Sequence, residues 1–213
     1  PRVGMYGISN EEVTIMRGGD GNMSSCPMDA LTDQYITDGS RVLVAALSLL
    51  DAAFPGRFVG VHLAALHTGE WFLPNSCPGD GPGNTVGFAG YSNFTQAAYC
   101  DRLGASADCS VPTTKDRMQP AVGNTFVGAD SANFNLWLSQ RVVKAISAFS
   151  TAIKKVSQHK ALAGAFYGYL WALDGWVISG SGHLALAELL ADNAVNFHVS
   201  PYNYLSEGRS QTG

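Results

Sequence analysis

A glutamate stands where a predicted strand leaves the core. The apolar run 58–66 predicts a buried strand, and His67-Thr68-Gly69-Glu70-Trp71 follows it, ahead of a long loop rich in Gly, Pro and Cys. In folds that alternate strands and helices, functional groups usually lie at the carboxyl ends of parallel strands. A carboxylate at such a position suits general acid/base chemistry. We therefore predict that Glu70 is a catalytic acid/base; the alternative is a loop carboxylate that pairs with an arginine or caps a turn.

Aromatic side chains gather at the carboxyl ends of the predicted strands. In a parallel barrel those ends share one face, so side chains that follow different strands meet there. Aromatic rings stack on the CH-rich faces of sugars while carboxylates beside them move protons, and a saccharide site needs both. The aromatic residues predicted to contact such a substrate are Trp71, Tyr167, Tyr169, Trp171 and Tyr202.

Three polar residues complete the candidate site. Arg17 follows a short apolar run and either binds substrate or holds a loop. His183 stands near a predicted helix start, where it either contacts substrate or caps and packs the helix. His67 is taken as a substrate contact beside Glu70. A metal centre formed by His62, His67 and Glu70 is disfavoured, because a strand directs the two histidines to opposite faces.

The order of the elements determines where these groups lie. Strands are predicted at 13–16, 58–66, 162–169 and 195–199. Helices are predicted from an N-cap at Ser40 to Phe54, where Pro55-Gly56 ends the helix, over roughly 93–103 with Ser92 as N-cap, and over 132–157 and 183–190. The helix 132–157 has an apolar stripe that includes Phe134 and Ile146, and Lys154 lies largely outside it. The alternation predicts a parallel α/β sheet with right-handed crossovers, whose strands are apolar throughout because both faces are buried. A flat doubly wound sheet and a (β/α)8 TIM-type barrel both fit this order. The chain, 1–213, reads as one domain with a long irregular loop over 73–130.

The composition excludes several classes of function. With 213 residues, 46% of them hydrophobic and 14% charged, the chain suits one sizeable domain and not a disordered segment. The net charge of −4 argues against a nucleic-acid partner. The sequence contains no run of about 18 uncharged apolar residues, so we expect no membrane-spanning helix. The glycines of 79–83 lack the strand–turn–helix context of a dinucleotide-binding loop, so neither that cofactor nor another is expected.

The cysteines and two glycosylation sequons bear on the compartment. The four cysteines form no C-x-x-C pair, so a zinc ribbon is not indicated. Cys100 and Cys109 flank a short loop and Cys77 lies in the same region, so a disulfide there is one of two expectations and free thiols are the other. Sequons at Asn22 and Asn93, together with the even cysteine count, favour secretion.

Four segments, taken in order, carry a family resemblance. They are Phe58-Val59-Gly60-Val61-His62-Leu63-Ala64 with Thr68-Gly69-Glu70-Trp71, then Gly164-Ala165-Phe166-Tyr167-Gly168-Tyr169-Leu170, Ser181-Gly182-His183-Leu184-Ala185-Leu186 and Ser200-Pro201-Tyr202-Asn203-Tyr204. The chain resembles uncharacterised glycoside hydrolases similar to the family-42 β-galactosidases, which are clan A TIM-barrel enzymes. The first segment looks like the fourth-strand region of that family and the second like its next strand. Spacing and order match over roughly residues 13–204.

The resemblance implies a fold and a mechanism. The fold would be a (β/α)8 barrel that cleaves a β-galactoside-like bond with retention, and Glu70 would be the acid/base at the end of strand four. The nucleophilic carboxylate would come from a strand near the seventh, which we do not find; Asp174 is the best substitute within the sequence. Because about four of the eight strands of a barrel are recognisable, we expect a partial barrel. Its partner would be the remainder of the barrel or a second copy of the chain, with an oligo- or polysaccharide as substrate.

The sequence departs from the family pattern at three positions. Gly69 stands where many relatives carry Asn, Ala172 where they often carry Glu, and Asn196 where they often carry Asp. These departures, with the missing nucleophile, motivate a second hypothesis. The chain would then be a degenerate barrel that binds carbohydrate without cleaving it.

Overall fold

The computed structural model describes residues 31–66, 69–73, 90–104, 109–117, 128–169 and 181–200. The elements in these ranges are α1 (Asp33–Ala53), β1 (Gly60–Leu63), α2 (Asn93–Arg102), α3 (Thr114–Arg117), α4 (Ala129–Val156), β2 (Leu162–Phe166), α5 (Leu186–Leu190) and β3 (Phe197–Val199). The predicted strand at 13–16 lies outside the described residues. The three observed strands are shorter than their predicted runs, because residues at the strand ends turn away into loops.

The three strands form one parallel sheet in the order β1-β2-β3. The register places His62 beside Gly164 and Gly164 beside Phe197, in one row across the sheet. Gly164 is required in this row, since an added Cβ atom would lie 2.4 Å from the Phe197 ring and from its carbonyl oxygen. A parallel sheet joined by helices matches the predicted α/β class and is consistent with part of a barrel.

One face of the sheet packs against the helices. It carries Leu63, Ala163 and Ala165, which are all buried. The two alanines have small side chains, so α4 can lie close to β2. This face forms the core together with the apolar stripe of α4, whose buried members include the predicted Phe134 and Ile146.

The other face of the sheet, which we call the open face, is largely uncovered. It consists of His62, Leu162, Gly164, Phe166 and Phe197. Leu162 is 47% exposed, His62 is exposed, and the two phenylalanines are half-buried. The expectation that the strands are buried on both faces is therefore wrong for this face. In a closed barrel the corresponding face points inward and is covered by the side chains of the other strands.

Helix α1 begins well before the predicted N-cap at Ser40. Thr32 caps it by accepting a backbone N–H of the first turn. Asp33 in that turn binds Arg141 and Lys144 of α4, with N–O distances of 2.7 and 2.8 Å. These partners come from a distant part of the chain, and an acidic residue in the first turn also favours the helix dipole. The helix ends at Ala53, ahead of Pro55-Gly56 as predicted.

Lys154 differs from its predicted place outside the apolar stripe of α4. Its side chain is buried, with 8% of the residue exposed. The Nζ atom donates to the Ala161 carbonyl over 2.6 Å and to Oδ1 of Asn196. A buried ammonium needs such acceptors, so Lys154 ties the end of α4 to the chain before β2 and β3.

Helix α2 closely follows its prediction. Ser92 is the N-cap, and its hydroxyl accepts the Thr95 N–H over 3.2 Å. A disulfide joins Cys100 in this helix to Cys109, whose Cα atoms are 5.8 Å apart. Within the described ranges, no helix is long and apolar enough to cross a membrane.

Candidate active site

Glu70 lies in a tight turn that follows β1. Leu66 and Gly69 adopt left-handed conformations, with φ of 62° and 79°, so the chain folds back on the end of the strand. The Trp71 N–H donates to the Ala65 carbonyl over 2.9 Å, and Ala65 and Glu70 form an isolated bridge. Glu70 is half-buried, and backbone hydrogen bonds fix the residues before and after it, from the Gly69 N–H to Leu66 and from the Trp71 N–H to Ala65.

Trp71 anchors this turn from the core side. Its φ of 62° is unusual for a bulky residue. The residue is only 1% exposed, its indole N–H donates to the Leu63 carbonyl over 3.0 Å, and its ring centroid lies 5.9 Å from that of Phe149 in α4. Ring burial and the buried hydrogen bond offset the backbone strain. The ring therefore has no free face for a sugar.

His183 is the centre of a buried aromatic cluster. It is 0% exposed and stacks on both Phe72 and Tyr167, with ring centroids 4.4 and 4.5 Å away and interplanar angles of 19° and 10°. Its Nδ1 atom accepts the N–H groups of Gly168 and Tyr169 over 3.2 and 3.5 Å. The ring is therefore held on its faces and at one edge.

Burial determines the charge state of this histidine. It lowers the pKa of His183 to about 4, although backbone groups of Glu70 and Trp71 act in the opposite direction. Desolvation penalises an imidazolium more than it penalises the neutral ring. His183 is thus neutral near pH 7.

Two tyrosines complete the cluster. Tyr167 is 1% exposed and donates its hydroxyl to the Gly182 carbonyl over 2.8 Å; burial raises the pKa of this hydroxyl. Tyr169 is 2% exposed and meets His183 edge-on, with ring centroids 5.0 Å apart. Both rings are buried beneath the protein surface, so they pack around His183 and offer no stacking face to a sugar in this conformation.

Three loop segments meet at the carboxyl ends of β1 and β2: 69–73 after β1, 167–169 after β2, and 181–185 before α5. The first segment, which holds Glu70, is joined to the segment before α5 by the Leu73 N–H, which donates to the Ser181 carbonyl over 2.9 Å. Gly182 has φ of 84°, and an added Cβ atom would lie 2.9 Å from Leu73. The segment after β2 joins them through His183. Glu70 therefore sits on a framework with little room to move.

The predicted site residues fall into two groups. Glu70, Trp71, Tyr167, Tyr169 and His183 belong to this framework. The others lie outside the described residues: Arg17, His67, Trp171, Tyr202 and the substitute nucleophile Asp174. Among the residues that the structure describes, no three His, Cys, Asp or Glu side chains are grouped to hold a metal ion.

Sequence reasoning missed two sets of aromatic contacts. Phe72 stacks on His183, and the alternation of side chains after a strand could have separated it from Trp71. The other set lies on the open face, where the His62 ring is 4.2 Å from Phe166 and 5.9 Å from Phe197. The period-two pattern of β1 and β2 could have indicated this row. These rings, exposed at His62 and half-buried at Phe166 and Phe197, form an accessible aromatic surface on the described sheet.

Comparison with known proteins identifies the class of fold. The chain has the fold of part of a TIM barrel. One solved structure that the chain resembles is the catalytic domain of β-amylase from Paenibacillus polymyxa, known from its crystal structure, with a TM-score of 0.65 and 15% sequence identity. The match covers 88% of this chain and 51% of the other, so the chain spans about half the length of the structure it matches. No protein-family model matches the chain, and no curated protein does.

Proposed function

We propose that the protein is a glycosidase that cleaves a β-galactoside-like bond with retention, and that Glu70 is its acid/base. The observation that carries the proposal is the position of Glu70. It is half-buried at the carboxyl end of a parallel strand, in a turn anchored by Trp71, within the fold of a TIM-barrel glycosidase. Catalytic residues of TIM-barrel enzymes come from this end of the strands.

In the proposed reaction Glu70 acts twice. It first protonates the glycosidic oxygen while a second carboxylate attacks the anomeric carbon, which breaks the glycosidic bond and forms a glycosyl–enzyme ester. The Glu70 carboxylate then takes a proton from water, and the water oxygen displaces the carboxylate from the sugar. We assign the second carboxylate to a part of the barrel outside the described residues, with Asp174 as the candidate within the sequence.

The open face supports a further part of the proposal, that more β/α units complete the barrel. Leu162 and His62 are exposed there beside the half-buried Phe166. The neighbouring structure is about twice as long as the matched region. In the full-length protein, hydroxyl-radical labelling of Leu162 should be weak if further strands cover this face and strong if the face is open. The remainder of the barrel is our preferred partner, and a second copy of the chain would appear as a dimer in light scattering.

The Glu70→Gln variant of the full-length protein tests the catalytic role. With alkyl β-galactosides, whose leaving groups need protonation, kcat/KM should fall by roughly 10²–10⁴-fold. With a dinitrophenyl galactoside, which needs no proton, the first step should be nearly unaffected. Glu188→Gln is the matched control, because Glu188 is an exposed α5 carboxylate bonded to Gln140. Equal losses on both substrates, or an active Glu70→Gln enzyme, would refute the role; inversion of the anomeric centre, seen by NMR, would refute retention.

One observation favours a second function, carbohydrate binding without cleavage. Phe166 and Phe197 are half-buried on the open face, beside His62, and could stack on a sugar without any carboxylate pair. Calorimetric titration would then show saccharide binding that Phe166→Ala abolishes and Glu70→Gln leaves intact, with no turnover of any aryl glycoside.

A further inference from the structure

The hydrogen bonds of His183 determine which nitrogen carries its proton. Nδ1 accepts the N–H groups of Gly168 and Tyr169, so the proton of the neutral ring must be on Nε2. Nε2 is buried and makes no hydrogen bond of normal geometry within the described parts of the chain, although backbone groups of Glu70 and Trp71 lie close enough to raise the pKa of the ring. With no exposed surface, His183 cannot touch a substrate or exchange protons with it. Its contacts point instead to a role in holding other residues.

These contacts lead directly to the segment of Glu70. Phe72 follows two residues after Glu70 and stacks on His183 at 4.4 Å. Trp71, between them, is fixed in the core through Leu63. The backbone after Glu70 is thus held by the Trp71 ring, which is buried in the core, and by the Phe72 ring, which stacks on His183. The other face of His183 rests on Tyr167, which is itself bonded to the chain before α5.

We propose that His183 is a positioning residue for Glu70. It fixes the direction of the carboxylate through Phe72, and it takes its own anchor from the N–H groups of Gly168 and Tyr169. This inference rests on the proposed acid/base role of Glu70. General acids work only within hydrogen-bond reach of the leaving oxygen, and a misplacement of about 1 Å costs on the order of 10²-fold in rate.

Two substitutions separate the two sets of contacts. In His183→Asn the side-chain oxygen can still accept the N–H groups of Gly168 and Tyr169, but the stack on Phe72 is lost. In His183→Phe the stack is kept and the acceptor is lost. Because the stack reaches Phe72, His183→Phe should retain more activity than His183→Asn. His159→Asn is the matched control, since His159 is exposed and its φ of 64° is one that asparagine tolerates.

The readout is the leaving-group dependence of kcat/KM in the full-length enzyme, because kcat/KM reports the first step, whereas kcat on an activated substrate also depends on the second step, in which Glu70 acts as the base. For His183→Asn, kcat/KM on an alkyl galactoside should fall on the order of 10²-fold, while kcat/KM on a dinitrophenyl galactoside falls far less. A merely structural role would lower both rates equally, in proportion to the folded fraction, and that result would overturn the inference. Phe72→Leu removes the same stack from the other side and should reproduce the pattern even where His183→Asn does not fold.

The outcome for Glu70→Gln separates the two proposals. If Glu70→Gln shows the leaving-group pattern and neither His183→Asn nor Phe72→Leu does, only the positioning inference fails. If Glu70→Gln itself lacks the pattern, the acid/base role fails, and the positioning role that depends on it fails as well.

Discussion

Replacing Trp71 with phenylalanine distinguishes a loop anchor from a sugar platform. The substitution removes the indole N–H that reaches the Leu63 carbonyl, and a buried carbonyl left without its donor costs about 1–3 kcal/mol. The smaller ring also leaves a cavity at a position that is only 1% exposed; complete truncation of such a ring costs about 3–5 kcal/mol. Together these terms predict a loss of about 2–4 kcal/mol in the free energy of unfolding.

The assay combines thermal unfolding with sugar binding. In a domain of this size, each kcal/mol shifts Tm by about 2–4 °C, so Tm should fall by roughly 4–16 °C while the folded variant keeps its affinity for sugar. Trp137→Phe is the control, because Trp137 is also buried but packs on Tyr99 and Phe134 and not on the Glu70 turn. It should lower Tm and leave kcat of the folded enzyme unchanged. An unchanged Tm with weaker sugar binding in Trp71→Phe would refute the anchoring role.

Two further predictions concern pH and the disulfide. Burial lowers the pKa of His183 from 6.5 to about 4, so the unfolded chain binds more protons than the folded chain between these pH values. The contribution of His183 to the free energy of unfolding is therefore fully present above pH 6.5, and up to roughly 3 kcal/mol is lost as the pH falls towards 4. Urea unfolding at pH 7 and pH 4.5 should show this slope, reduced in His183→Phe; an equal slope in both proteins would contradict it. Cys100→Ser opens a bridge with a sequence separation of 9 and should cost about 2–3 kcal/mol. Dithiothreitol should lower Tm in the parent and not in the variant, and a parent insensitive to reduction would count against the bridge.

Local patterns were sufficient for the features that depend on neighbouring residues. Ser92 caps α2 and Pro55 follows the end of α1 as expected, because capping and helix termination depend on residues a few positions apart. The apolar stripe of α4 and the parallel order of the strands followed from their periodicity and alternation.

Features that depend on distant contacts could not be predicted in this way. The start of α1 depends on Arg141 and Lys144, which bind Asp33 from another helix. Lys154 is buried because a carbonyl and the Asn196 amide receive its ammonium. The sequence placed aromatic rings near Glu70, but whether a ring faces solvent or the core depends on what packs behind it, and spacing along the chain does not specify that.

Two of the departures from the family pattern have a structural explanation that leaves the Glu70 turn intact. Asn196 accepts Lys154 Nζ and the Ala163 N–H through Oδ1, so it fixes the chain at the start of β3, and an aspartate could accept the same two donors. Gly69 has φ of 79°, which asparagine also adopts, and an added Cβ atom would meet only Ala64, at 3.4 Å. Glycine and asparagine therefore fit the same turn. Neither position argues against catalysis, so the choice between a hydrolase and a sugar-binding protein depends on Glu70 and its partner carboxylate.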